Sequence, residues 1–174
     1  MGYFKISYEK ELRDVQALAQ IIEQDGWIDS NTVIVVCSPE YSSLACQIIN
    51  HKLSPLNNHE PFSMDFLEMP YPGEEQLTEE EYRYECRHLA GKHMHYKNRK
   101  LLLIDSGVLR GSNFSILEHE LGYFFQRKNL RFASLYTQDD SKFTPEYCVE
   151  EFNFDKDGGL LFWWENEDNP FWPW

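Results

Sequence analysis

Asp105, Gly111, Ser112 and Asn113 are the residues whose types and spacing point most directly to chemistry. They lie in the run Leu102-Leu103-Ile104-Asp105-Ser106-Gly107-Val108-Leu109-Arg110-Gly111-Ser112-Asn113. An apolar stretch there ends in an acid, passes through glycines and enters a helical pattern. A helix start offers free N–H groups and the positive end of the helix dipole, which together suit a phosphate. Gly111 lets backbone approach a ligand closely. Ser112 and Asn113 can cap the helix or donate to phosphate oxygens. An ordinary βα-loop carries the same pattern, so these residues alone leave both readings open.

Other groups invite chemistry less strongly. His88, His93 and His95 gather near Cys86, a spacing that suits a metal on a bent segment; a solvated basic helix end explains it more simply. The four cysteines, at 37, 46, 86 and 148, include no C-x-x-C pair, which argues against structural zinc. Glu74, Glu75, Glu79, Glu80, Glu81 and Glu85 form an acidic run. Arg83, Arg87, Lys92, Lys97, Arg99 and Lys100 interleave with its end and follow it, as on a solvated helix with paired faces.

These residues need elements to position them. Leu12, Val15, Leu18, Ala19 and Ile22 recur at helical spacing, predicting a helix over 8–24 that stops at Gly26. The β-branched run 33–37 reads as a strand buried on both faces, residues 38–42 as a loop, and Leu44, Ala45, Ile48 and Ile49 as the next helix. Residues 53–63 read as loop, 65–69 as a strand and Tyr71-Pro72-Gly73 as a turn. Thr78 and Glu81 form a capping box for a helix to about Leu89, before Gly91. The alternation of Tyr82, Tyr84 and Cys86 competes with that reading. Residues 100–104 predict a strand ending in Asp105, residues 106–111 a loop, and residues 113–127 a helix with Phe114, Leu117, Leu121 and Phe124 on one face. A further strand covers 131–137. A helix between two apolar strands implies a right-handed crossover and a parallel sheet.

The 174 residues, 42% hydrophobic and 16% aromatic, suit one domain with a proper core. No apolar run is long enough to span a membrane, and the start lacks an apolar leader core. The expected setting is therefore the cytoplasm, with reduced thiols. A net charge of −13 opposes non-specific nucleic-acid binding. An anionic ligand must be held by a local cluster of donors, or together with a metal ion.

The run 102–113 resembles the phosphoribosyl pyrophosphate motif of the type I phosphoribosyltransferases: an apolar strand, two acids, variable residues and a Gly-Thr-Thr-like turn. Its Arg110-Gly111 pair looks most like the glutamine amidophosphoribosyltransferase version. Tyr3-Phe4-Lys5-Ile6-Ser7-Tyr8 resembles the opening of the small hypoxanthine/xanthine-type members. Phe132-Ala133-Ser134-Leu135-Tyr136 resembles their last core strand, and the stretch from Ser141 to Glu151 their Lys-Pro-Asp-Tyr-Tyr-Val-Glu-Glu segment. Leu161-Phe162-Trp163-Trp164-Glu165 stands in place of their apolar-Phe-Pro-Trp-Glu ending. The resemblance implies an α/β, Rossmann-like fold with a central parallel sheet flanked by helices. Residues 1–174 would form one domain, with a variable hood or flap at about 55–98 and an aromatic tail at 166–174. Trp172 and Trp174 would pack on the domain or on a second copy in a homodimer.

The same resemblance implies roles. Asp105 and Ser106 would face the ribose hydroxyls, and Leu109, Arg110, Gly111, Ser112 and Asn113 would hold the 5-phosphate. Ser38, Pro39, Glu40, Tyr41 and Ser42 would form the pyrophosphate loop. Gln138, Phe162 and Trp163 would meet the base. Mg²⁺ would arrive chelated by the pyrophosphate and sit near Asp105. The ligands would be phosphoribosyl pyrophosphate or a nucleoside monophosphate, with a nucleobase or other nitrogen nucleophile. Four positions depart from the family. Ser106 replaces the second acid, Leu109 replaces the acid that serves purine chemistry, and Gln138 replaces a base-reading Lys. The 38–42 loop has Glu40 and no cation, and Glu40 would repel a pyrophosphate unless a metal lay between. The basic stretch from Arg83 to Lys100 is the expected reserve. Two readings follow: a transferase with an unusual substrate, or a catalytically degenerate relative that binds a nucleotide or a protein.

Overall fold

The computed structural model describes residues 3–70, 77–96, 98–153 and 159–162, and only the backbone of Tyr3, Phe4, Glu40 and Tyr41. Among the described residues, seven strands and four α-helices follow in the order β1 (Tyr3–Ile6), α1 (Tyr8–Asp25), β2 (Thr32–Cys37), α2 (Pro39–Leu53), β3 (Ser63–Leu67), α3 (Glu79–His93), β4 (Lys100–Val108), α4 (Ser112–Gly122), β5 (Leu130–Gln138), β6 (Tyr147–Phe152) and β7 (Gly159–Phe162). Five strands form one parallel sheet in the order β3-β2-β4-β5-β6, and β1 pairs with β7 in a second, two-stranded parallel sheet. The expected α/β architecture is present.

The central strands carry the apolar runs Val33–Cys37 and Leu101–Ile104, as suits strands covered on both faces. Side chains alternate across the sheet. Ile34, Val36, Leu102, Ile104, Ala133 and Leu135 pack with α1 and α2 on one side. Val33, Val35, Leu101, Leu103, Leu130 and Phe132 pack with α3 and α4 on the other. Complete burial of such side chains contributes about 1.5–3 kcal/mol each. The 8–24 helix stands as read, with Ser7 capping its start and Gly26 its end in the left-handed conformation. The Thr78–Glu81 capping box is also present.

Several boundaries differ from the sequence reading, each for a local reason. Residues 38–42 are not a loop. Helix α2 starts at Pro39, whose fixed φ is suited to a first helical position, and Ser38 alone turns the chain at φ 54. Strand β4 does not end at Asp105: β5 holds it in register as far as Gly107↔Tyr136 and Val108↔Thr137. Gly107 is therefore a strand residue, and a Cβ there would meet Leu160 Cδ1 at 2.9 Å. Helix α3 runs through Gly91 to His93. Tyr82 and Cys86 are buried at helical spacing while Tyr84 is exposed, which removes the strand alternative. Helix α4 ends at Gly122, and Phe125, not Phe124, reaches the core. The strand expected at 65–69 lies at Ser63–Leu67. The turn at 71–73 and the tail at 166–174 lie outside the described residues.

Strands β5 and β6 are parallel, yet no helix joins them. Residues 139–146 run back instead. Lys142 N–H donates to Arg110 O (3.2 Å), and Phe143 is buried against Phe114 and Phe132. This return segment braces the loop after β4.

Candidate functional site

The sheet order reverses between β2 and β4: the chain leaves β2 for β3 on one side, then crosses back to β4 and on to β5 and β6 on the other. Ligands of open parallel sheets bind at such a switch point, outside the carboxyl ends of the strands. Here those ends are Ser38 after β2 and residues 109–111 after β4, so the topology joins the two segments that the sequence singled out.

Ser42, in the first turns of α2, makes the junction. Its side chain is fully buried. Its hydroxyl donates to Asp105 Oδ1 (3.1 Å), accepts from Ser106 N–H (3.0 Å) and lies 3.2 Å from Ser106 Oγ. Asp105 is 6% exposed. Burial pushes its carboxyl up to about 7, against the hydrogen bonds of Ser42 and of the Ser106 and Gly107 backbone that favour the charged form. Burial, with Asp105 nearby, also raises the Cys37 and Cys46 thiols. Ser38 Oγ is buried and has no hydrogen-bond partner among the described residues.

Among the described residues, both helices that begin here lack a side-chain cap. Ser38 makes no cap hydrogen bond to α2, and Gly111 has no side chain to cap α4. By contrast, Ser7 and Thr78 cap α1 and α3. The first N–H groups of a helix have no partner within it. Two uncapped helix starts thus face the switch point: Glu40 and Tyr41 N–H from α2, where Pro39 has none, and Ser112, Asn113 and Phe114 N–H from α4. Arg110 and Lys142 are exposed cations with no ion pair among the described residues. Sequence reasoning missed Lys142, because only the return segment brings its backbone to Arg110.

Several of the expected site residues make contacts within the protein itself. Gly111 stands at φ 74, where a Cβ would meet Phe143 N and Ser141 Oγ at 2.6 Å. Its missing side chain makes room for the protein's own return segment as well as for the turn. The Asn113 amide donates to Pro70 O (2.9 Å) and so ties α4 to the chain beyond β3. Leu109 is 36% exposed beside the motif. The Gln138 side-chain amide donates to Asp140 Oδ1. Phe162 is buried against the Tyr136 ring (5.8 Å between centroids) and serves the core. Trp163 lies outside the described residues, as do the side chains of Glu40 and Tyr41.

Much of the expected basic reserve is engaged or placed elsewhere, and Lys97 lies outside the described residues. Arg83 and Arg87 hold the buried Glu120 at 2.6 and 2.7 Å, tying α3 to α4. The Arg87 hydrogen bond, then that of Arg83, lowers the Glu120 carboxyl to about 2 against burial. Lys92 and His93 both bind Asp65. Arg99 and Lys100 stand at the amino end of β4, away from the site. Cys86 is buried while His88 and His95 are exposed, and among the described residues no three His, Cys, Asp or Glu gather as metal ligands. Nor does Asp105 make a resident Mg²⁺ site. That ion takes near-octahedral oxygen ligands, and here one buried carboxyl, already hydrogen-bonded, stands beside a serine. Among the described residues no helix is long and apolar enough to cross a membrane.

No family model matches the chain, and no curated protein matches it by sequence. Solved structures do match it. A purine phosphoribosyltransferase from Pyrococcus horikoshii is 15% identical, with 95% of each chain covered and a TM-score of 0.66. The xanthine-guanine-hypoxanthine phosphoribosyltransferase of Helicobacter pylori is 16% identical over 94% of this chain and 92% of its own, with a TM-score of 0.61. A hypoxanthine phosphoribosyltransferase from Trypanosoma cruzi, in complex with the product IMP, is 17% identical over 83% and 77%, with a TM-score of 0.55. The chain therefore has the type I phosphoribosyltransferase fold, with the resembling motif on the strand, β4, that borders its switch point.

Proposed function

We propose that the chain is a phosphoribosyltransferase that moves phosphoribose from phosphoribosyl pyrophosphate to a nitrogen nucleophile, most simply a nucleobase. The 5-phosphate rests on the N–H groups at the start of α4, with Arg110 and Lys142 beside it. The pyrophosphate meets the two free N–H groups of α2. The nitrogen lone pair attacks the anomeric carbon, the carbon–oxygen bond to pyrophosphate breaks, and pyrophosphate leaves with that electron pair. The proton on the nucleophile is then lost. Mg²⁺ belongs to the substrate as its pyrophosphate chelate. The observation that carries this reading is the pair of uncapped helix starts at the switch point, because unfilled N–H groups at a dipole end are what phosphates bind.

A second reading has its own support. Asp105 is buried and bonded to Ser42, and Ser106 carries no charge. A site built so would hold a nucleoside monophosphate without transfer. Thermal shift with phosphoribosyl pyrophosphate and Mg²⁺, bases and nucleoside monophosphates finds the ligand. Pyrophosphate release then separates the readings. Release with some base, suppressed in Asp105→Asn, supports the transferase. Tight monophosphate binding with no release from any common base supports the binding protein. Absence of all binding removes both.

A further inference from the structure

At the other end of the sheet, a cleft of about 750 Å³ opens among the amino ends of β2, β4 and β5. Arg99, Lys100, Lys128 and Asp29 line it, with the rings of Trp27 and Tyr96. On a chain of net charge −13, three cations against one carboxylate make this cleft locally basic. Lys100 is already engaged, 2.7 Å from Asp29 and donating to Trp27 O. Arg99 and Lys128 have no ion pair among the described residues. The Arg99 Nε is buried without an acceptor among the described residues, an unmet donor of a kind that folded proteins seldom leave.

The aromatic groups are fixed around these cations. The Arg99 guanidinium lies 4.4 Å from the centre of the Tyr96 ring, and Tyr96 is 58% exposed. Trp27 donates from Nε1 to Lys128 O, with Lys100 and Arg131 at 5.1 and 5.4 Å from its ring. Such pairing of guanidinium and ring orients the cation while leaving its charge available. The amides of Asn98, Gln126 and Asn129 add donors and acceptors on the rim.

We propose that this cleft is a second binding site, for a nucleoside di- or triphosphate. Its phosphates pair with Arg99 and Lys128, its base lies against Tyr96, and the amides meet the base edges. The volume falls within the range of small-molecule sites, about 300–1,000 Å³. The site is distinct from the switch point. Lys100 and Val108 end the nine-residue β4, which separates them by roughly 26 Å at about 3.3 Å per residue.

Calorimetric titration with ATP and GTP tests the site, against inorganic triphosphate and the free nucleosides. One nucleotide should bind. Arg99→Gln and Lys128→Gln should each weaken it about tenfold, since each removes a charged partner. Arg110→Gln, at the other end of β4, should leave it unchanged. Should Arg99→Gln impair folding, Lys128→Gln carries the test, because that side chain is exposed. No binding at millimolar nucleotide, or equal affinity in wild type and both cleft variants, overturns the proposal. So does a loss seen only in Arg110→Gln. Inorganic triphosphate binding as tightly as either nucleotide overturns the nucleoside part.

Discussion

Asp105→Asn should change the pH dependence of stability in a calculable way. In the folded chain the carboxyl stands at about 7 instead of 3.8. Below pH 4 it is protonated in folded and unfolded chains alike. As pH rises from 4 to 7 the unfolded chain releases the proton while the folded chain keeps it, so stability falls; above 7 no more is lost. Three pKa units correspond to about 4 kcal/mol. Asparagine resembles the protonated acid and titrates in neither state. It cannot accept every hydrogen bond that Ser42, Ser106 and Gly107 offer, which costs about 1–2 kcal/mol at all pH values. The variant should therefore be less stable than wild type at pH 4 and more stable at pH 8. For a chain of this size, about 2–4 °C of melting temperature per kcal/mol puts the swing between the two near 8–16 °C. The assay is thermal melting of both proteins, without ligand, across pH 4–8. A melting difference that stays constant over that range would refute the buried, protonated state of Asp105.

Other substitutions test other parts. Gly111→Val places a β-branched side chain at φ 74 and within 2.6 Å of Phe143 N; it should cost about 2 kcal/mol or more in urea unfolding, through backbone strain and overpacking. Glu120→Gln removes the carboxylate that Arg83 and Arg87 share. It should lower stability at pH 7 by about 1–3 kcal/mol and remove the decline that wild type shows as pH falls from 4.5 towards 2, because the native carboxyl is held at about 2. Arg110→Gln with Lys142→Gln should weaken monophosphate binding about tenfold or more in calorimetry and leave melting unchanged, since both side chains are exposed and without ion pairs among the described residues. Leu109→Asp places an acceptor at an exposed position; it should raise any purine transfer, or create it from a low background, by about 10²–10⁴-fold, and a folded variant without gain on guanine, hypoxanthine, xanthine or adenine would tell against purine chemistry.

The sequence revealed what depends on local pattern. The apolar runs at 33–37 and 100–104 read as strands covered on both faces, and the 8–24 periodicity before Gly26 as a stopped amphipathic helix. The motif running along β4 into α4 was readable because its residue types occur together in sequence. What was not readable depends on tertiary contact. Nothing near Asp105 in sequence announces that Ser42, 63 residues earlier, will donate to it and also bond Ser106. Arg83 and Arg87 looked available because Glu120 is more than thirty residues away. Lys142 looked incidental until the segment without a helix, 139–146, carried it back to Arg110.

These hidden contacts change the meaning of the departures from the family pattern. A missing cation in the first loop is a serious loss if that loop must cradle a pyrophosphate. It is a smaller one where α2 starts at Pro39 and presents its own dipole end. Serine in place of the second acid would leave a gap if it faced solvent. Here Ser106 is buried and joined to Ser42, so the substitution belongs to a network that also holds Asp105. The departures at 38–42 and 106 are thus coupled through one hydroxyl. Ser42→Ala tests that coupling. It deletes the hydrogen bond that opposes burial, so the Asp105 carboxyl should move further above 7 and the stability loss on raising pH should extend to higher pH. If the variant melts with the wild-type pH dependence, the two departures are independent, and each must be explained alone.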